Sequence, residues 1–248
     1  MRCQWVLLIV VGVLWIVING VIGVKKKVLD KDLQRETKPK GPVARGKLIE
    51  INNFTIVTGA NHKYFSPALV NHVGSFCFWE PTLKIVVWDL GLTAKEVETV
   101  KSWSSVTYRR FPFERYPPHF RNLHTYAFKP VIIKQMVDEL EAVLWVDAGS
   151  HISGRMKEII ISLFQKDGYV YSGLRGNGAV TKVAHPGMFT YFNITIGPYV
   201  GKGSISGNLN GWLRQGDIYE EILVPWVNMI ILVGKNIGNI LYDVILVR

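Results

Sequence analysis

Two charged side chains in this sequence stand where their chemistry could serve a ligand. Asp147 ends the apolar run AVLWVDAG, and Lys129 follows YAF at the start of an amphipathic stretch. Hard divalent cations prefer carboxylate oxygen as a ligand. The positive charge of a lysine at a helix start opposes the helix dipole, which favours an anion as the partner of that lysine. The structural alternative stays open: Asp147 caps a helix that begins near Gly154 or ends its strand, and Lys129 is a solvated flank.

The elements that must position these residues predict an α/β fold. After Lys47, short apolar runs alternate with amphipathic stretches, which is typical of a mostly parallel sheet flanked by helices. The predicted strands are Phe54–Gly59, Leu83–Leu90, Ser105–Phe111, Ala142–Gly149 and Gly168–Leu174. The predicted helices are Ser66–Phe76, Thr93–Trp103, Lys129–Leu140 and Gly154–Gln165. Thr93 and Glu96 have the spacing of a capping box.

Small or acidic residues end four of the five predicted strands. They are Thr58-Gly59-Ala60-Asn61, Asp89-Leu90-Gly91, Asp147-Ala148-Gly149 and Ser172-Gly173. In open α/β sheets, ligands bind beyond the carboxyl ends of the strands, where the loops leave the core. We therefore expect a ligand cleft at this edge of the sheet, with Asp147 facing it.

Familiar phosphate-binding and metal-binding motifs are not present in usable form. GPYVGKGS, residues 197–204, has three residues between its first two glycines instead of the four of a P-loop, and Gly203 replaces the Ser or Thr. GLRGNG, residues 173–178, has the wrong glycine order for a dinucleotide fingerprint. We expect both to be flexible loops. The two cysteines, Cys3 and Cys77, form no CxxC motif, and there is no HExxH.

The N-terminal segment predicts a membrane anchor. Trp5 to Val24 is a run of 20 residues without a charge, and a helix of that length spans about 30 Å, the thickness of the hydrocarbon core. A cleaved signal peptide is the alternative, although the apolar run is long for one. The predicted organisation is a signal anchor in residues 1–24, a basic stem in 25–47 and one folded domain in 48–248.

The orientation of this anchor is left open by two opposing signals. Lys25, Lys26 and Lys27 directly follow the span and favour a cytosolic downstream chain. Asn53 and Asn193 begin N-glycosylation sequons, which matter only if the downstream chain is lumenal. The net charge of +10 is concentrated in the stem, and no recognition motif accompanies it, so we do not expect a nucleic-acid partner.

Four spaced blocks of the sequence carry a family resemblance. FTIVTGANHKYFSPALVNHVGSF, IVVWDLGLT, LHTYAFKPVIIKQM and VLWVDAGSHI resemble a GT-A-type glycosyltransferase family, poorly characterised animal proteins of the nucleotide-diphospho-sugar transferase superfamily. The resemblance runs from about Phe54 to about Pro225. It implies a Rossmann-like GT-A sheet that binds a sugar nucleotide, in a single-pass membrane protein of the Golgi with a lumenal C-terminal domain.

The resemblance also implies roles for particular residues. Thr58, Gly59, Ala60 and Asn61 correspond to the loop that touches the nucleoside. Lys129 matches a lysine that reaches the diphosphate, and Asp147 matches the first acid of the D-x-D element, which holds the diphosphate through Mn²⁺ or Mg²⁺.

The sequence departs from this family at two places. The second acid of D-x-D is Gly149, which leaves metal coordination to water, phosphate or another residue such as His151. After Glu220–Trp226 the resemblance fades, so the C-terminal part is either divergent or truncated. The expected function is transfer of a sugar from a nucleotide-sugar donor to a glycan or protein acceptor, with no catalytic residue assigned. The alternative is a catalytically inactive relative that binds a glycan or a nucleotide.

Overall fold

A computed structural model describes residues 51–184, 186–215 and 217–236 of the chain. The predicted anchor Trp5–Val24, the stem 25–47 and residues 237–248 lie outside the described residues. No helix in the described part of the chain is long and apolar enough to cross a bilayer.

The described residues form one large sheet and one small ribbon. The strands are β1 Thr55–Ala60, β2 Lys84–Asp89, β3 Val106–Arg110, β4 Ala142–Val146, β5 Tyr169–Tyr171, β6 Arg175–Ala179, β7 Gly203–Ile205 and β8 Leu209–Leu213. Six of them make a sheet in the order β3-β2-β1-β4-β8-β5, and β6 pairs with β7. Strands β1 to β4 are parallel, whereas β8 runs antiparallel to its neighbours β4 and β5.

Helices cover both faces of the large sheet. They are α1 Val70–Trp79, α2 Ala94–Ser102, α3 Phe128–Leu140, α4 Lys157–Asp167, α5 Val180–Val183, α6 Pro186–Tyr191 and α7 Val224–Asn236. Alternate residues of each strand point to opposite faces. Val57 and Val143 therefore share a core with α3 and α7, while Ile56 and Leu144 share the other core with α1, α2 and α4. Because β4 is buried on both faces, its sequence is a continuous apolar run.

The predicted fold class is confirmed: a mostly parallel six-stranded sheet is flanked by helices. All five predicted strands and all four predicted helices are present, with ends shifted by a few residues. The capping box is confirmed, because the Thr93 hydroxyl accepts a hydrogen bond from the Glu96 amide and the Glu96 carboxylate accepts one from the Thr93 amide. The apolar C-terminal stretch forms α7, which packs in the core through Val227, Met229 and Ile230.

The prediction of two flexible loops was wrong. GLRGNG and GPYVGKGS contribute strands β6 and β7, which pair with each other as an antiparallel ribbon. Their glycines obscured the strand pattern, because glycine is rare in strands. Strand β8 was not predicted for the same reason. Its Gly211 is required by packing, since a Cβ there would lie 2.7 Å from the ring of Phe164 on α4.

Candidate functional site

A cavity of about 390 Å³ opens at the carboxyl edge of β1 and β4. One wall is the end of β1, residues Gly59 to Asn61, and the facing wall is the turn after β4, Asp147 to Ser150. The remaining sides are closed by Tyr126, by Phe128 at the start of α3, and by Asn208 before β8. The cavity therefore lies where parallel strands of an α/β sheet place ligands.

Four of the six ligand-binding residues predicted from the sequence line this cavity. They are Gly59, Ala60, Asn61 and Asp147. Thr58 lies one residue deeper on β1, its side chain is fully buried, and it is not part of the cavity wall. Lys129 lies behind the wall, with only 3% of its side chain exposed.

Asp147 and Lys129 form an ion pair with each other. Lys129 Nζ donates to Asp147 Oδ1 at 2.7 Å, and the indole Nε1 of Trp145 donates to the same oxygen at 2.7 Å. Lys129 also donates to the carbonyl of Gly207 at 3.3 Å. The expectation that Lys129 could be a solvated flank is wrong, since this ammonium is buried and its partner is Asp147.

The expectation that Asp147 could cap the helix after β4 is also wrong. That helix, α4, begins at Lys157, and its first amides are capped by Glu80, which follows α1. Glu80 Oε1 accepts hydrogen bonds from the backbone N–H groups of Met156 and Lys157. A carboxylate at a helix N-terminus satisfies unpaired amides and favours the helix dipole. This leaves the Asp147 side chain to Lys129, Trp145 and the cavity.

Aromatic rings surround the buried ammonium of Lys129. Its Nζ lies 5.4 Å from the ring centroid of Tyr126 and 5.3 Å from that of Trp145, within cation–π range. Tyr126 adopts a left-handed backbone conformation with φ of 52°, and its carbonyl accepts the Lys129 amide at 3.0 Å. This turn starts α3 so that Lys129 points inward. Gly59 leaves room for the indole, because a Cβ there would lie 3.3 Å from Trp145.

The turn after β4 is fixed by hydrogen bonds to α1. His72 Nδ1 donates to the Ser150 carbonyl at 2.7 Å, and the Ser75 hydroxyl accepts the Ile152 amide at 3.1 Å. His72 is fully buried. Burial lowers the pKa of His72 from 6.5 to about 4, although the bond to Ser150 and the charge of Asp147 act in the opposite direction. Since a carbonyl only accepts, the neutral ring carries its proton on Nδ1.

The residues around Asp147 do not fit the D-x-D metal site that the family resemblance implied. Within the described residues, no three His, Cys, Asp or Glu side chains are grouped to hold an ion. The charge is unfavourable as well, because the Asp147 carboxylate is already paired through Oδ1 with a buried ammonium. The positive charge of Lys129 offsets the negative charge of Asp147, so the pair offers a divalent ion little net electrostatic attraction. The exposed His151 lines a different cavity.

That neighbouring cavity, of about 540 Å³, adjoins the first one. Gly149, Ser150 and Asn208 belong to the walls of both. The replacement of the second acid by glycine leaves open space here, because a Cβ at Gly149 would have no neighbour within 4 Å. The two cavities thus share a wall made of Gly149, Ser150 and Asn208.

Sequence reasoning missed several residues of the first cavity. Trp145 could have been found, because residues two apart on a strand share a face and Trp145 precedes Asp147 by two. Tyr126 and Phe128 precede Lys129 in the sequence but carried no signal of their own. Asn208 comes from the segment before β8, a strand that the sequence did not predict, and nothing in its neighbourhood marked it.

One family model matches part of the chain. Residues 44–134 match the family described as protein of unknown function (DUF1647). The matched segment contains β1 to β3 and the start of α3, so it includes Lys129 but ends before Asp147. No curated protein matches the sequence.

Solved structures with a similar chain trace are glycosyltransferases. The galactosyltransferase LgtC, in complex with donor and acceptor sugar analogs, has 13% identity and a TM-score of 0.43 over 71% of this chain and 64% of that chain. Mouse xyloside xylosyltransferase 1 has 11% identity and a TM-score of 0.42 over 72% and 74%. S. aureus TarS in complex with UDP has 14% identity and a TM-score of 0.37 over 64% and 46%. This chain spans less than two thirds of the length of the galactosyltransferase.

Proposed function

We propose that this chain binds a nucleotide sugar in the cavity at the carboxyl edge of β1 and β4 and transfers the sugar to a glycan or protein acceptor. The observation that carries the proposal is the cavity itself. Its volume of about 390 Å³ lies within the range of small-molecule sites, about 300–1,000 Å³. It combines aromatic walls with a few polar groups, which is the usual composition of such sites. The resemblance of the sequence to GT-A-type glycosyltransferases agrees with this assignment.

The polar groups of the cavity suit the parts of such a donor. In this proposal Asn61, at the end of β1, contacts the nucleoside, the role that the resemblance implies for it. Lys63 and His124 also line the cavity and are exposed, so their side chains are available to an anionic diphosphate. Glycosyl transfer leaves negative charge on the departing diphosphate, and positive groups placed beside it lower the barrier. No described residue is assigned as the catalytic base or nucleophile.

A second function is supported by the same site. A catalytically inactive relative would use the cavity to bind a glycan or a nucleotide without transferring a sugar. The Asp147–Lys129 ion pair and Gly149 favour it, because together they remove the usual D-x-D arrangement. The two functions differ in turnover: a transferase consumes the donor, and a binding protein releases it unchanged. Release of free UDP or GDP from a bound nucleotide sugar would therefore separate them.

Nucleotide binding is expected to depend on Asn61. Its Oδ1 is buried and has no hydrogen-bond partner among the described residues, so Asn61→Ala removes a ligand contact without breaking a bond of the fold. We expect this variant to bind UDP or GDP about fivefold more weakly, since a neutral hydrogen bond contributes about 1 kcal/mol. The thermal midpoint should not fall. Calorimetric titration of the full-length chain in detergent measures the affinity.

The matched control for this experiment is Asn52→Ala. Asn52 is exposed and lines a separate small cavity at the opposite edge of the sheet, beside Leu140 and Gln215. It should leave affinity unchanged. Absence of UDP and GDP binding by the unaltered chain would contradict the proposed function. If Asn61→Ala bound them as tightly as the unaltered chain, the nucleoside would not bind at the end of β1.

We further propose that the folded domain lies in the Golgi lumen behind the anchor of residues 5–24. Two exposed sequon asparagines, Asn53 and Asn193, support this orientation. In animal cells, treatment with an N-glycosidase should reduce the mass of the chain but not that of an Asn53→Gln/Asn193→Gln double variant. The opposite orientation would be shown by two results together: the mobility of the unaltered chain does not change, and antibody reaches a C-terminal tag after the plasma membrane alone is opened.

A further inference from the structure

We infer that Asp147 binds hydroxyl groups of the donor sugar directly and that this cavity holds its nucleotide sugar without a divalent cation. The inference rests on the proposed function, because it assigns the chemistry of the same cavity. It concerns one carboxylate, its buried partner Lys129 and the neighbouring amide of Asn208.

The two oxygens of Asp147 are in different situations. Oδ1 accepts both hydrogen bonds, from Lys129 Nζ and from Trp145 Nε1. Within the described residues, Oδ2 takes none, and 30% of the side chain is exposed at the cavity wall. Lys129 and Trp145 thus fix the orientation of the carboxylate and leave one acceptor oxygen for a ligand. A carboxylate oxygen accepts strongly from hydroxyl groups.

The charge at this site favours a neutral donor over a cation. Only 3% of the Lys129 side chain is exposed, so water screens its charge poorly. It neutralises Asp147, and the pair presents no net negative charge to attract a divalent ion. A sugar hydroxyl group, in contrast, can donate a hydrogen bond to the Asp147 carboxylate even though Lys129 neutralises its charge. Gly149 supplies no second carboxylate that could shift this balance.

A second acceptor lies next to Asp147. The Asn208 carbonyl accepts the Asp147 backbone amide at 2.8 Å, which holds the two residues side by side. Asn208 lines the cavity, and its Oδ1 is buried and has no hydrogen-bond partner among the described residues. A buried polar atom without a partner is costly, so a ligand that donates to it is favoured. Vicinal sugar hydroxyls can serve Asp147 and Asn208 together.

The first test uses the unaltered full-length chain in detergent, with UDP, UDP-glucose, UDP-galactose, GDP and GDP-mannose as probes. Affinities are measured by calorimetry in Mn²⁺ and in a chelator. We expect the best-bound nucleotide sugar to have the same affinity in both buffers, within about twofold. Binding that weakens tenfold or more in the chelator would overturn the inference and leave the proposed function standing. Binding of no probe in either buffer would overturn both.

The second test compares a nucleotide sugar with its own nucleoside diphosphate. Asp147→Asn should weaken binding of the nucleotide sugar by about tenfold to hundredfold, because a hydrogen bond to a charged group contributes about that change in affinity. Binding of the diphosphate, which lacks the sugar, should weaken by less than about twofold. Asn208→Ala should weaken only the nucleotide sugar, by about fivefold. This variant removes a side chain that has no bond to the described residues, so it is informative even if Asp147→Asn does not fold. Equal losses for both probes would overturn the inference.

Discussion

Asp147→Ala is expected to lower the free energy of unfolding by about 3–5 kcal/mol, because it leaves a buried ammonium without its carboxylate. Lys129, the residue left behind, has 3% of its side chain exposed and cannot reach water without a rearrangement of the turn before α3. Lys129→Met should cost less, about 1–3 kcal/mol, since Asp147 is 30% exposed and water can solvate it. The asymmetry follows from the different burial of the two partners.

The double variant Asp147→Ala/Lys129→Met should recover part of the stability lost in Asp147→Ala, because no charge then remains buried. Urea denaturation of the four proteins forms a double-mutant cycle. The control is the exposed pair Arg110 and Glu114, where Glu114→Ala should leave the denaturation midpoint unchanged. If Lys129→Met proved more destabilising than Asp147→Ala, the ammonium would have to be solvated, and the buried pair would not describe the protein in solution.

Acid is expected to destabilise the fold through His72. Its pKa is lowered from 6.5 to about 4 by burial, so between these values the unfolded chain binds a proton that the native chain does not. The free energy of unfolding therefore falls as the pH drops from about 6.5 to about 4. Integrated over that window, the contribution of this one side chain is about 3 kcal/mol. Below the native pKa of about 4, the contribution of His72 no longer changes with pH.

The variant His72→Gln separates this contribution from that of the carboxylates, which titrate in both proteins. Glutamine retains an N–H donor for the Ser150 carbonyl but has no proton to gain in this range. The unaltered chain should lose about 3 kcal/mol more than the variant between pH 7 and pH 4, measured by urea denaturation at each pH. Parallel pH profiles for the two proteins would show that His72 is accessible to protons in the native state.

The sequence by itself determined the fold class and the edge of the sheet at which a cavity opens. Continuous apolar runs such as residues 142–146 indicated buried parallel strands, and the small or acidic residues after them marked one edge as the place for a ligand. The strand inference succeeded because the periodicity of apolar residues is a local property of the chain, and a cavity opens at the expected edge. The ribbon β6–β7 and strand β8 were missed, because their glycines serve close packing and turns, which local patterns do not show.

Only the tertiary structure decided how the site residues are used. Asp147 and Lys129 were predicted as separate contacts to a ligand, whereas the fold joins them in an ion pair between the end of β4 and the start of α3. The start of α4 is capped by Glu80, which lies 76 residues before Met156, and not by Asp147 as the sequence allowed. Partners of this kind are brought together by packing across the sheet. Whether a charged side chain faces a ligand or another residue depends on that packing, so the sequence alone could name the charged groups but not pair them.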